Sequence, residues 1–85
     1  MAGLVRIRVH VTPRRGVLDP QGQAVAHGLS NLGFDGVGEV RIGKVVDLEL
    51  AGQSSSEEAL ATARDMAVRL LANEVVEDFT VEILD

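Results

Sequence analysis

Residues 4 to 12 alternate without a break. Val5, Ile7, Val9 and Val11 take one side; Arg6, Arg8, His10 and Thr12 take the other. A period of two with β-branched residues on the apolar side predicts a half-buried strand. Pro13-Arg14-Arg15-Gly16 reads as a turn. From Pro20 the period changes to 3.6, with Leu18, Val25, Leu29 and Leu32 on one side and Gln23, His27 and Ser30 opposite. Asp19 is placed to accept a hydrogen bond from a first-turn amide. Pro20 suits the first helical position, where its missing N–H is no loss. Gly33 reads as the left-handed residue that ends the helix. Gly22, a poor helix former in the first turn, has no local explanation and suggests a close approach by another group.

Phe34 to Gly38 is a glycine-rich connection. Between Gly38 and Leu50 the even positions carry Val40, Ile42, Val46, Leu48 and Leu50. Thirteen residues could form one long strand, but Gly43-Lys44 resembles a turn. A three-residue loop over Gly43-Lys44-Val45 pairs Ile42 with Val46 and Val40 with Leu48, keeping the large aliphatics inward. Ser54 with Glu57, or Ser55 with Glu58, forms a capping box. The helix that follows puts Leu60, Ala63, Ala67, Leu70 and Leu71 on its apolar face and runs to about Asn73. Residues 76–84 make the last strand, with Phe79, Val81 and Ile83 inward. The expected order is β-α-β-β-α-β, the α+β, ferredoxin-like split βαβ: four antiparallel strands with two helices on one face. Arg6, Arg8, Arg41, Glu39, Asp47, Glu49 and Glu82 then fall on the uncovered face, with Leu4, Val45 and Leu84 among them.

Eighty-five residues fit a single domain, 1–85. The apolar content is 46%, but only 2% is aromatic, so there is material for a core and almost none for stacking bases. Thirteen acidic against eight basic side chains leave a charge of −5, which argues against nucleic acid or an anionic membrane as partner. No cysteine is present, so disulfides, thiolate metal sites and cysteine nucleophiles are excluded. No apolar run is long enough for a membrane span and no signal-peptide pattern opens the chain, so a cytoplasmic setting is expected.

Candidate chemistry is sparse. His10 and His27 are expected on opposite sides of the sheet and cannot act as a pair. The serines cluster at 54–56, where capping accounts for them, and the carboxylates are spread along solvent faces. RNA-recognition modules share the topology but need sheet aromatics. Arg15-Gly16-Val17 is faintly similar to the phosphate loop of acylphosphatases. Val40-Arg41-Ile42-Gly43, however, lacks the asparagine those enzymes carry on the second strand. Copper-carrying domains of this fold need the missing cysteines. What remains is a small domain built to associate.

Specific residues reach further. Val17-Leu18-Asp19-Pro20-Gln21-Gly22, Ala26-His27-Gly28-Leu29, Val40-Arg41-Ile42-Gly43-Lys44, and Leu70-Leu71-Ala72-Asn73 with Val76-Glu77-Asp78 resemble the PurS family over essentially the whole chain. That family is the small subunit of phosphoribosylformylglycinamidine synthase. The departures, Thr12-Pro13-Arg14-Arg15 and the 51–63 region, fall on expected surface. The resemblance implies a subunit of a glutamine-dependent, ATP-consuming C–N ligase of purine biosynthesis, with no catalytic residue on this chain. It would bridge a glutaminase subunit and a synthetase subunit and support ammonia transfer. Formylglycinamide ribonucleotide, glutamine and ATP then give formylglycinamidine ribonucleotide, glutamate, ADP and phosphate. ATP and Mg belong to the synthetase; this chain binds no cofactor and no metal. A homodimer or higher homo-oligomer is implied. The expected partner surfaces are Asp19, Pro20, Gln21 and Gly22, His27, and Arg41, Gly43 and Lys44. Asp19-Pro20 is also a sufficient helix cap and Gly43 a sufficient turn residue. The alternative is a ligand-sensing regulatory domain of the same topology that binds a small molecule between paired domains.

Overall fold

The computed structural model describes residues 4–84. The alternating run becomes β1 (Val5–Pro13), the central strand of an antiparallel sheet. β2 (Lys44–Leu50) and β3 (Glu77–Ile83) flank it in the order β2-β1-β3. Register follows from the apolar face. Val9 lies between Val46 and Val81, Ile7 between Leu48 and Ile83, and Val11 between Lys44 and Phe79. A slip of one residue would turn each of these sets to solvent. Ile7, Val9 and Val11 are fully buried.

One helix covers that face. α2 (Ser56–Met66) runs on into a wider π-type turn, Ala67–Leu71. Ala59, Ala63 and Ala67, spaced by four, are fully buried against the sheet. Small side chains at that spacing let helix and strand backbones approach closely, while Val46, Leu48, Phe79, Val81 and Ile83 close the core around them. The start of α2 is the anticipated Ser55–Glu58 box with one change. The Glu58 amide donates to Ser55 Oγ at 3.1 Å, but the Glu58 carboxylate reaches back to Ser54, accepting from both its amide and its hydroxyl. Leu70, expected on the apolar face, is 83% exposed.

Two features depart from the ferredoxin-like expectation. The described residues form three strands, because 38–42 pairs with no strand. The anticipated Gly43-Lys44-Val45 hairpin is absent. Gly43 lies against the Val11 carbonyl and Thr12, and Arg41 Nη1 donates to the Pro13 carbonyl at 2.9 Å. The chain therefore continues past the end of β1 instead of reversing, and residues 38–42 cannot fold back on β2. The same geometry takes Glu39 and Arg41 off the outer sheet face. The second departure is that only α2 lies on the sheet. α1 (Pro20–Asn31) packs substantially on neither the sheet nor α2, and Gly22 is its one buried residue. Its apolar stripe is open: Leu18 is 70% and Leu32 75% exposed, and Val25 and Phe34 are exposed beside them. The radius of gyration, 16.5 Å, exceeds the roughly 12 Å of a compact domain of this length.

Candidate functional site: the corner between the first helix and residues 38–43

The corner begins with a turn. Arg14 O accepts from Val17 N at 3.2 Å, and Gly16 takes φ +82°, a conformation that a side chain would strain. The chain then enters α1 through Asp19, whose extended backbone (φ −122°, ψ 98°) and side chain make it the N-cap, with Pro20 directly after. Asp19 Oδ1 accepts from Gln21 N at 3.1 Å. Its other oxygen, Oδ2, accepts from Ile42 N at 2.7 Å. One carboxylate thus joins the helix start to the segment after the glycine-rich connection. Amide donors from Ile42, Gly22 and Gln21, in that order of weight, favour the ionised form and hold the Asp19 carboxyl below its ordinary range.

Gly22 explains itself here. A Cβ on it would stand 1.9 Å from the Val40 carbonyl oxygen. The first turn of α1 and the backbone at Val40 touch, and only glycine permits it. Gly43 is a second such point, where a Cβ would fall 2.3 Å from Val11 O. Glu39 accepts from Gly16 N at 3.0 Å, closing the other side of the corner. Between these elements lies an open recess of about 310 Å³ lined by Gly16, Leu18, Asp19, Gln23, Ala26 and Val40 among others.

Of the anticipated residues, Asp19, Pro20, Gln21, Gly22, Arg41 and Gly43 converge on this corner and on the end of β1 beside it. Lys44 is exposed at the start of β2. His27 sits two turns along α1, exposed and away from the recess. Glu39 and the backbone amides of Gly16 and Ile42 were not anticipated. The one signal for Glu39 is its place two residues before Arg41, in a segment that pairs with no strand.

Chemically the corner is a joint. Both Asp19 oxygens and one Glu39 oxygen are engaged by backbone amides of the chain itself. Among the described residues no three His, Asp or Glu side chains assemble a possible metal site, and no helix is long and apolar enough to cross a membrane. His10 Nε2 pairs with Glu82 at 3.0 Å on the outer sheet face, and Arg8 forks onto Asp47 at 2.8 and 3.1 Å. Arg8 and Asp47 are directly opposed on β1 and β2, whereas His10 and Glu82 are diagonal neighbours across β1 and β3; both pairs lie on a different surface from the corner.

Comparison with known proteins accords with this picture. Residues 6–85 match the model of the PurS family, described as phosphoribosylformylglycinamidine (FGAM) synthase. The chain is 47% identical over 78 residues to the PurS subunit of this synthase from Synechocystis, an alignment covering 89% of this chain and 75% of that one. Identity to the Bacillus subtilis PurS subunit is 36% over 80 residues, covering 94% and 93%. Among solved structures, B. subtilis PurS superposes with a TM-score of 0.78 at 36% identity, over 95% of this chain and 99% of that one. A chain in the structure of PurLQS from Thermotoga maritima reaches 0.82 at 30% identity, over 95% and 98%. With family model, relatives and fold in agreement along nearly the full length, the chain belongs to the PurS family of phosphoribosylformylglycinamidine synthase subunits.

Proposed function

We propose that this chain is the non-catalytic small subunit of a cytoplasmic phosphoribosylformylglycinamidine synthase. It joins a glutaminase subunit to an ATP-dependent synthetase subunit so that ammonia released from glutamine reaches formylglycinamide ribonucleotide. ATP and Mg act on the synthetase. The observation that carries the reading is α1, whose apolar stripe is left uncovered by its own chain. A 12-residue helix with little packing is marginal in water. Such a helix gains stability when another surface covers Leu18, Val25 and Leu32. The chain is accordingly a homo-oligomer as well as a bridging subunit. The partner-facing residues are Pro20, Gln21, Arg41 and Gly43 at the corner, together with Lys44 beside it and His27 on α1. Asp19, bonded through both oxygens to its own chain, and Gly22, buried against Val40, shape the corner from within.

The test is reconstitution. Glutaminase and synthetase subunits are assayed for product from glutamine and, separately, from free ammonia, with and without this chain. Omitting it abolishes the glutamine-dependent reaction while ammonia still serves. Glutamine-dependent turnover that persists at the same rate without the chain refutes the proposal.

A further inference from the structure

The corner contains a group whose geometry exceeds what helix capping needs. Capping α1 requires one side-chain oxygen on a first-turn amide. Asp19 supplies that with Oδ1 on Gln21 N, and then places Oδ2 on Ile42 N, 23 residues away, at the shorter distance of 2.7 Å. Val40 O presses on Gly22 in the same place, so backbone meets backbone within one turn of the bond. Segment 38–43 is in turn rooted on the body of the protein. Arg41 holds the Pro13 carbonyl and Gly43 lies on Val11. α1 has no other substantial packing, so its direction in space depends on this joint.

From this geometry we infer that Asp19 is a positioning residue: by bonding Gln21 N and Ile42 N at once, it locks α1 to segment 38–43 and aims the helix at the surface it must meet in the assembled enzyme. The inference rests on the subunit reading above. The lever is long enough to matter. Twelve residues at 1.5 Å each make a helix of about 18 Å, so a swing of roughly 20° at its base moves the far end by about 6 Å. Leu32, at that end, would then miss a packed site, since interiors and well-packed interfaces tolerate shifts far smaller than this.

Asp19→Asn separates positioning from capping. Asparagine caps a helix as well as aspartate does, but its amide nitrogen cannot accept the Ile42 proton. The full chain and the variant are titrated into a mixture of glutaminase and synthetase subunits, and glutamine-dependent product is measured. Amide hydrogen exchange is followed in parallel on the chain alone. The expected result is unchanged helix content and unchanged protection within α1, loss of protection at Ile42, and at least a tenfold rise in the concentration giving half-maximal activity. The maximal rate returns at saturation. Asp19→Ala, which removes the cap as well, lowers the helix content too. A wild-type Ile42 amide that exchanges at the unstructured rate overturns the inference. So does an Asp19→Asn titration curve that overlies the wild type. If the wild-type chain does not restore glutamine-dependent activity at all, the subunit reading falls and takes this inference with it.

Discussion

Gly22 and Gly28 lie on the same helix, and the same substitution at each should move stability in opposite directions. At Gly28 nothing lies within 4 Å of a built Cβ. Gly28→Ala therefore removes the entropic handicap of a helical glycine at no steric cost, a gain of about 0.5–1 kcal/mol. At Gly22 the Cβ meets the Val40 carbonyl oxygen at 1.9 Å, where ordinary contact begins at 3.4 Å. Relief requires a displacement of about 1.5 Å by backbone that cannot rotate out of the way. Overpacking of this kind costs about 1–3 kcal/mol. Moving Val40 away from the helix also pulls Ile42 N off Asp19, a bond now 2.7 Å long. Set against the same helical gain, Gly22→Ala should destabilise α1 by roughly 1–2 kcal/mol. Amide exchange across Ala24–Ser30 reads this directly. Protection should fall by about tenfold in Gly22→Ala, since 1.4 kcal/mol is a factor of ten, and rise several-fold in Gly28→Ala. β1 should exchange as in the wild type in both. Equal or increased protection in Gly22→Ala would refute the close approach and the joint built on it.

Other consequences can be checked as readily. Ile7→Ala, at a fully buried position between Leu48 and Ile83, should cost about 2–5 kcal/mol by denaturant titration. In a chain of this size that is a large share of the total. Arg8→Ala breaks the fork onto Asp47 but acts on an exposed pair, so its melting temperature should stay close to wild type. Leu32→Glu places a charge in the open stripe of α1. Sedimentation should show a smaller species than the wild type and reconstitution a lost glutamine-dependent rate, while the circular dichroism of the sheet is retained. Acid sensitivity has a defined sign. Asp19, Asp47 and Glu58 are each held below their ordinary values of 3.8, 3.8 and 4.5 by hydrogen bonds to Ile42, Arg8 and Ser54 respectively. Their contribution is complete above those values and is lost as pH falls through the lower folded ones. Thermal stability should thus be level from neutral pH to about 4.5 and decline below it. Asp19→Asn should flatten part of that decline.

Much of the fold was legible because it is encoded locally. Alternation over residues 5–11 and 77–83 states which side of a strand is apolar, and β1 and β3 carry it unchanged into the core. The helix signals are equally local. Asp19-Pro20 starts α1, Ser55 starts α2, and Gly33 (φ +94°) closes α1, with Phe34 N on Leu29 O at 3.0 Å and Gly33 N on Ser30 O at 3.0 Å. The site was legible in part. Gly22 stood out as a helical glycine with no local reason, and the reason proved to be Val40. Gln21, Arg41 and Gly43 joined it at the corner, whereas His27 did not.

Partnership is what the residues alone left open. The pattern Val40, Ile42, Val46, Leu48, Leu50 is satisfied equally by a hairpin or by one continuous run, because a period of two identifies a face and says nothing of which strand lies beside it. The choice was made at Gly43, where backbone contact with Val11 and the bond from Arg41 to Pro13 carry the chain past β1. The same holds for α1. Its stripe of Leu18, Val25, Leu29 and Leu32 announced a surface to be covered, and the expected cover was the sheet. Tertiary structure instead pinned the helix by its first turn through Asp19 and Gly22 and left the stripe open. Hydrophobic periodicity measures the need for burial; it takes the three-dimensional path of the chain to determine which surface meets that need.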